Sequence, residues 1–474
     1  MPTISHYIQR IQELAKRNQE LNNRLTDLMG QYSIIKEQNK KYNQLLDRYS
    51  EPGLLKAQEK SFKKRGKRVE RLNTVSLLYI SIRGFEELPQ MSNQSELIDI
   101  LDEINVLIKE VADKFSLTKI KSFGDNIIYA AGLNRENRTN PIDITLAACH
   151  MKAEIQKLYE RQAHKPIWKV KMGIHTGPIL AFDEKRAYSP YSISGENINI
   201  VCRLGESCPA GKINISEMTY ELVKEFFNLT PAGTIPVKFK GPMKIYQVNG
   251  LQEKLHQKDN IFASNKMFDL RYRQIQFMDI QEEVLNLLEK NLPNNLYYHN
   301  IKHTIDVITE VELIGWAEGL KEEEILILKT AALFHDAGHI VDYRTHEYQS
   351  VLLARQILPR YNFSKSQLDV VERLILATKF PPTPKDKLEE VICDSDLDYL
   401  GRADFIPVSN NLYKELKERQ MIGSWNEWLQ MQLDFIMQHQ YYTQTAKKLR
   451  EVNKQQQIER LRLLLKNEVV KTNY

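Results

Sequence analysis

The sequence predicts a multidomain chain that combines an N-terminal coiled coil, an α/β domain and an all-α domain. Three observations predict this order. A heptad of apolar residues runs through 1–49, strand and helix patterns alternate over 73–251, and amphipathic helical patterns fill 265–474. The polar segments 50–72 and 252–264 are predicted to be exposed linkers between these domains.

Length and composition limit the classes of function. The chain has 474 residues, of which 42% are hydrophobic and 27% are charged, with a net charge of +5. These values suit two or three globular domains, and the small charge predicts no nucleic-acid partner. The sequence contains no run of about 18 apolar residues, so it predicts no membrane span, and the N-terminus lacks a hydrophobic secretory segment. We therefore expect a cytoplasmic protein.

The N-terminal heptad predicts a parallel homodimer. Apolar residues recur at alternating spacings of three and four from Ile4 to Tyr49. Asn18 and Asn39 both fall on the a position, where a buried asparagine favours a parallel pair in register. The alternative is a single helix that packs on the body of the protein. Pro52 follows the heptad and ends the helix.

The middle segment consists of mixed strand and helix patterns. Residues 75–82 are apolar and β-branched, and the residues 117–121 and 127–131 flank a tight FGDN turn that predicts a hairpin. Residues 96–111 and 142–159 have helical spacing. These units predict an α/β sandwich of the ferredoxin-like type.

Four motifs of this segment resemble the class III adenylate and guanylate cyclase domain. They are KIKSFGDNIIYAAG (Lys119–Gly132), MGIHTGPILA (Met172–Ala181), SGENINIVCRL (Ser194–Leu204) and VKFKGPMKIY (Val237–Tyr246). The resemblance implies a dimer whose sites form across the interface. One protomer would supply two aspartates for Mg²⁺ or Mn²⁺, and the other would bind the small-molecule nucleotide.

The resemblance is incomplete at the metal site. It implies that Asp125 is one metal ligand, while Ser81 stands where the family has the second metal aspartate. Ser192 replaces the acidic partner of the base-contacting Lys121. A serine holds a hard cation less well than a carboxylate. We expect a dimeric module that senses a nucleotide without turnover; the alternatives are a working cyclase and surface groups without a nucleotide role. The implied nucleotide-binding residues are Lys121, Asn199, Arg203 and Lys240.

Histidines and aspartates cluster in the C-terminal segment. His299 and His303 are four residues apart, which on one helix would put both imidazoles on the same face. His335 and Asp336 follow an apolar helix, and Asp396 lies in an acid-rich stretch. Imidazoles and carboxylates are ligands that zinc, iron, manganese and magnesium sites share. The sequence therefore predicts a metal site.

Two motifs of this cluster, YHNIKH (Tyr298–His303) and HDAGH (His335–His339), resemble cyclic-nucleotide phosphodiesterases of the HD superfamily of metal-dependent phosphohydrolases. The resemblance implies that His299 is the general acid for the leaving oxygen. It also implies that His339 contacts the metal ligands rather than the metal itself. The implied ligands are His303, His335, Asp336 and Asp396.

A second ion is also expected. Asp336 could bridge two ions, and the waters bound to the second ion would need hydrogen-bond partners such as His339 or Asp394. His346 could reach this ion, or it could be a surface histidine after a loop. The expected function is hydrolysis of a nucleotide phosphodiester, with a cyclic mononucleotide as the expected substrate. The alternatives are a bifunctional cyclase and phosphodiesterase, and a non-catalytic nucleotide-binding scaffold.

Overall fold

The computed structural model describes residues 37, 40–45, 48, 69–91, 94–133, 137–161, 167–183, 191–237 and 241–472. The chain divides into two compact units, Met1–Asp269 and Leu270–Tyr474. The predicted coiled coil lies almost entirely outside the described residues and stays a prediction. Within its range, the described residue Tyr42 is buried and packs with Ile200 and Met218 of the same unit.

The first unit is an α/β domain. Its strands are β1 (Val69–Arg83), β2 (Thr118–Phe123), β3 (Asn126–Ala131), β4 (Lys169–Asp183), β5 (Tyr191–Ser194), β6 (Ile213–Ser216), β7 (Phe227–Val237), β8 (Gly241–Leu251), β9 (His256–Gln257) and β10 (Asn260–Ser264). Its helices are α1 (Gln94–Lys114), α2 (Asn140–Glu160), α3 (Glu196–Ser207) and α4 (Glu217–Val223). Among the described residues, the main sheet has the order β2-β3-β1-β4-β6-β8-β7, and β5 pairs with β4.

Strand β1 lies inside the sheet because its apolar side chains fill both faces. Leu77, Leu78 and Ile80 are fully buried, and β1 pairs antiparallel with both β3 and β4. The succession β-α-β-β-α-β from β1 to β4 is the ferredoxin-like unit, so the α/β prediction is confirmed. The register sets Ser81 opposite Asn126 and brings the end of β1 beside the β2–β3 turn.

The predicted hairpin is present, whereas the linker predicted at 252–264 is wrong. Strands β2 and β3 pair around Gly124, whose φ of +56° is a left-handed conformation that favours glycine. Strands β9 and β10 pair within the predicted linker, and Leu255 is fully buried there. The polar composition of this segment therefore gave no sign that it is ordered. The side chain of Asn265 stabilises it by donating hydrogen bonds to the carbonyls of Lys254 and His256. The other predicted linker also ends early, because β1 begins at Val69.

The second unit is helical, as predicted, and residues 270–472 contain no strand. Its helices are α5 (Lys266–Asn291), α6 (Ile301–Ala317), α7 (Glu322–Phe334), α8 (His346–Ile357), α9 (Lys365–Ala377), α10 (Lys387–Asp396), α11 (Phe405–Glu418), α12 (Trp425–Gln438) and α13 (Gln444–Thr472). Among the helices that the structure describes, none combines the length and the apolar character needed to cross a membrane.

Three of these helices turn their apolar faces into one core. Helix α6 contributes Val307 and Val311, α7 contributes Leu328 and Leu333, and α10 contributes Ile392, all of them buried. Burial of such side chains is the main stabilising contribution to a helical domain. Because the helices share this core, the beginning of α6 comes close to the ends of α7 and α10.

Candidate metal centre

The four predicted ligands stand at helix ends of the second unit. His303 lies in the first turn of α6, where the side chain of Asn300 caps the helix by accepting a hydrogen bond from the His303 amide. His335 follows the last residue of α7, Asp336 comes next, and Asp396 is the last residue of α10. The shared helical core therefore carries all four side chains to the same place.

Their donor atoms converge. Nε2 of His303 lies 3.1 Å from Oδ1 of Asp396 and 3.3 Å from Nε2 of His335. Oδ2 of Asp336 lies 3.4 Å from Nε2 of His303 and 3.3 Å from Nε2 of His335. Two imidazole nitrogens and two carboxylate oxygens form a donor set that suits zinc, iron or manganese.

Asp336 presents its other oxygen to a second group of histidines. Its Oδ1 lies 3.5 Å from Nε2 of His346 and 3.9 Å from Nε2 of His339. The rings of His339 and His346 stack with centroids 4.0 Å apart, and the ring centroid of His299 lies 4.7 Å from that of His339. Asp336 therefore stands between two groups of donors. His346 was predicted either to reach a second ion or to lie on the surface after a loop. It faces this site from the first turn of α8.

A close backbone approach brings His346 to Asp336. Ser350 is fully buried, accepts a hydrogen bond of 2.8 Å from the Gly338 amide and donates one of 2.7 Å to the carbonyl of His335. A Cβ atom at Gly338 would lie only 1.9 Å from the carbonyl oxygen of His346. Only glycine therefore lets the beginning of α8 come this close to the turn.

Backbone carbonyls orient two of the histidines. Nδ1 of His335 donates to the carbonyl of Ala332 at 2.7 Å, and Nδ1 of His346 donates to that of Tyr343 at 3.0 Å. Because Nδ1 donates in each case, Nε2 is the ring nitrogen that faces Asp336. Hydrogen bonds of this kind are the usual support of metal-binding histidines. Burial would lower the pKa of His335, but Asp336 and Asp396 raise it well above its usual value.

Several buried atoms at this site fit a divalent ion. Oδ2 of Asp336 and both ring nitrogens of His339 have no hydrogen-bond partner among the described residues. Burial lowers the pKa of His339 to about 2, which keeps the imidazole neutral. Burial would raise the pKa of Asp396, but hydrogen bonds from His303 and His335 hold it well below its usual value. Neutral imidazole and ionised carboxylate are the forms that bind metals.

Glu415 of α11 holds His299. Its buried carboxylate accepts a hydrogen bond from Nδ1 of His299 and one of 2.9 Å from the hydroxyl of Tyr343. It also accepts from the amides of Tyr298 and His299, at 2.9 and 3.2 Å. Burial alone would lower the pKa of His299, but Glu415 and Asp336 raise it above its usual value. Glu415 was not predicted from the sequence, because nothing in its local pattern distinguishes it from other glutamates on a helix.

Two details of the predicted site are corrected. His299 does not share a helix with His303, because α6 begins only at Ile301, after the Asn300 cap. Asp394 does not offer a free carboxylate to the waters of a second ion. It is fully buried and accepts hydrogen bonds from Thr443, through its amide and its hydroxyl, both at 2.7 Å.

A cavity opens beside the converging donors. Its volume is about 190 Å³, and it reaches from His303 and Asp396 toward Tyr399 and Arg402. Its walls combine aromatic and charged side chains. Of the four-donor group formed by His303, His335, Asp336 and Asp396, His303 and Asp396 line this cavity.

The predicted metal ligand of the first unit has a different environment. Asp125 lies in the β2–β3 turn, and its Oδ2 is 3.1 Å from a guanidinium nitrogen of Arg83. The neighbouring Ser81, in the position of the second expected carboxylate, is fully buried. These residues do not fit the family's two-aspartate ion site, since one carboxylate is missing and the other is paired. This contact of Arg83 was not predicted from the sequence.

Two of the predicted nucleotide-binding residues lie on the same helix. Asn199 and Arg203 are both exposed on α3, and Arg203 donates to the carbonyl of Pro236 at 2.7 Å. Lys121 is exposed on β2, with Nζ 5.2 Å from the ring centroid of Phe123. The position of Lys240 and the side chain of Ser192 lie outside the described residues.

Both predicted families are found by comparison. Residues 68–250 match the model of the adenylate and guanylate cyclase catalytic domain, and residues 300–403 match the model of the HD domain. The chain therefore contains a class III adenylate/guanylate cyclase catalytic domain followed by an HD domain.

Similar proteins and solved structures match about two fifths of this chain. The atrial natriuretic peptide receptor 2 of Mus musculus is 25% identical over 195 residues, which are 40% of this chain and 19% of the receptor. An adenylate cyclase of Mycobacterium bovis is 26% identical over 183 residues, or 38% of this chain and 40% of that enzyme. The chain thus spans about a fifth of the receptor's length. The crystal structure of the adenylyl cyclase CyaB from P. aeruginosa has 26% identity and a TM-score of 0.36, covering 40% of this chain and 99% of that one.

Proposed function

We propose that the HD domain is a di-metal phosphodiesterase that hydrolyses a nucleotide phosphodiester, with a cyclic mononucleotide as the substrate. The single observation that carries this proposal is the position of Asp336. One of its oxygens faces His303 and His335, and the other faces His339 and His346. Divalent ions held there would supply positive charge to an anionic phosphodiester and make water a better nucleophile near neutral pH.

The first ion would be held by His303, His335, Asp336 and Asp396. The second would be held by Asp336 together with His339 and His346. The unpartnered buried atoms of Asp336 and His339 support this assignment, because buried polar atoms without partners are otherwise costly.

His299 is proposed as the general acid. The hydrogen bond to Glu415 fixes Nδ1, so the protonated ring can give its other proton to the leaving oxygen. The raised pKa of His299 supports this role, because a proton donor must still be protonated near neutral pH. Glu415 orients the ring and stabilises its charged form.

The test is metal-dependent hydrolysis by the full chain. Purified protein is loaded with Zn²⁺, Fe²⁺, Mn²⁺ or Mg²⁺ and offered a panel of cyclic nucleotides. We expect cleavage that Asp336→Ala abolishes, whereas Asp434→Ala, an exposed aspartate on α12, leaves it unchanged. Unchanged turnover in Asp336→Ala would refute the proposal. A chain that binds nucleotide with thermal stabilisation, but cleaves no substrate in any metal form, would be a scaffold.

The cyclase-type domain is proposed as a cytoplasmic, dimeric module that senses a nucleotide and regulates the HD domain. Exposed Asn199 and Arg203 on α3 support nucleotide binding. A working cyclase is the rival, and incubation with ATP, GTP, CTP or UTP and Mn²⁺ tests it. A cyclic product that disappears in Arg203→Ala would establish the rival. Gel filtration with light scattering tests the dimer, and a monomer would contradict it.

A further inference from the structure

Arg83 joins two carboxylates in the cyclase-type domain. One guanidinium nitrogen lies 3.1 Å from Oδ2 of Asp125. The other donates to both oxygens of Glu206, each at 2.7 Å. Arg83 thus contacts the predicted metal ligand Asp125 and a carboxylate from a different element of the fold.

The fold places these three side chains together for identifiable reasons. Ser81 and Arg83 are two residues apart on β1, so they point to the same face of the sheet. The Ile82 amide donates to the carbonyl of Asp125 at 3.0 Å, which ties the β2–β3 turn to this end of β1. Glu206 arrives from the last turn of α3.

Helix α3 can approach β1 because of Gly205. A Cβ atom at Gly205 would lie 2.0 Å from a ring carbon of Tyr79. The hydroxyl of Tyr79 lies within hydrogen-bond distance of Glu206 and also 2.7 Å from Oδ1 of Asn126. This contact links the end of α3, β1 and the hairpin that carries Asp125. The position of the Arg83 guanidinium is therefore supported by three elements of the domain.

The charges oppose a divalent ion at Asp125. A site for a hard cation needs uncommitted oxygens of negative charge. Here Ser81 is neutral, and Asp125 and Glu206 are both occupied by the positive guanidinium. An ion beside Asp125 would meet like charge at close range unless Arg83 left both carboxylates.

We propose that Arg83 takes the place of the divalent ion in the cyclase-type site. The positive charge at this site is then supplied by the side chain of Arg83, and the domain holds neither Mg²⁺ nor Mn²⁺ at Asp125. Without such an ion, a dimer of this chain does not form the metal site on which nucleotide cyclisation depends in the family. This inference is independent of hydrolysis by the HD domain.

The test counts Mn²⁺ bound to the full chain by electron paramagnetic resonance of free Mn²⁺. Ions in the HD domain form a constant background, because no variant alters residues 270–474. We expect Asp125→Asn to bind as many ions as the wild type. Arg83→Gln or the double variant Ser81→Asp/Arg83→Gln should bind one more ion per chain, and a further Asp125→Asn change should remove it.

Two results would overturn the inference. One is a lower count in Asp125→Asn than in the wild type, which would mean that Asp125 already binds an ion. The other is the absence of any gain in both Arg83 variants. Circular dichroism checks folding; if the Arg83 variants fail to fold, the comparison of Asp125→Asn with the wild type still decides. Loss of hydrolysis with this Mn²⁺ pattern would refute only the proposed HD activity.

Discussion

The side chain of Glu415 accepts a hydrogen bond from Nδ1 of His299, although 116 positions separate the two residues. The same carboxylate accepts the hydroxyl proton of Tyr343 and two backbone amide protons. Burial would raise the pKa of Glu415, but the side chain of His299 and the backbone amides of Tyr298 and His299 lower it to about 2. The proposed acid therefore has a negatively charged partner over the whole neutral range.

Glu415→Gln should lower turnover by the HD domain. The amide keeps the shape but removes the charge that raises the pKa of His299, so the protonated acid is lost at a lower pH. We expect kcat to fall by about 100-fold, which is the low end of the rate acceleration that a general acid provides. We also expect the high-pH limb of the plot of kcat against pH to move to lower pH.

A matched control for this variant is Glu418→Gln. Glu418 lies on the same helix and accepts a hydrogen bond of 2.8 Å from Tyr297, but it does not contact His299. The control should retain its pH profile. An unchanged high-pH limb in Glu415→Gln would exclude the proposed role of Glu415.

His346→Ala should remove one of two ions. The variant deletes the nitrogen that lies 3.5 Å from Oδ1 of Asp336 but leaves the four-donor group intact. Elemental analysis after metal loading should show about one bound ion fewer per chain, since three donors become two. His256→Ala, in the first unit, serves as the control. Equal metal content in His346→Ala and the control would argue against a second ion at this position.

Ser350→Ala should destabilise the second unit. The change leaves the buried Gly338 amide and the His335 carbonyl without their hydrogen bonds of 2.8 and 2.7 Å. Such unsatisfied buried groups cost about 1–3 kcal/mol. Urea unfolding in EDTA should show this decrease in the free energy of unfolding. The exposed Ser366→Ala change should have almost no effect, and equal stability of both variants would contradict the prediction.

Metal binding should stabilise the second unit. An ion that binds only the folded chain adds about 2.7 kcal/mol when its free concentration is about 100 times Kd. The thermal midpoint of this unit should therefore rise when metal is added to EDTA-treated protein and fall again on chelation. Asp336→Ala should lose most of this rise, because it removes the carboxylate shared by both donor groups. A rise as large as that of the wild type would place the bound metal elsewhere.

Parts of both domains were predictable because their signals are local. The FGDN turn between two apolar strands predicted the β2–β3 hairpin, and the helical spacing of apolar residues predicted α1 and α2. The close sequence spacing in YHNIKH and HDAGH marked the residues whose donor atoms converge around Asp336. At 252–264 the polar residues suggested an exposed linker, although strands β9 and β10 pair there.

The sequence by itself determined the order of domains and the residue types at the candidate metal centre, because periodicity and short motifs depend on neighbours along the chain. Only the tertiary structure decided that Glu415 holds His299, that His346 faces Asp336 and that Arg83 pairs with Asp125. The physical reason is the range of the contacts. A charged side chain on a helix or strand has the same local pattern whether it meets solvent or a distant partner, and only the packing of elements selects between them.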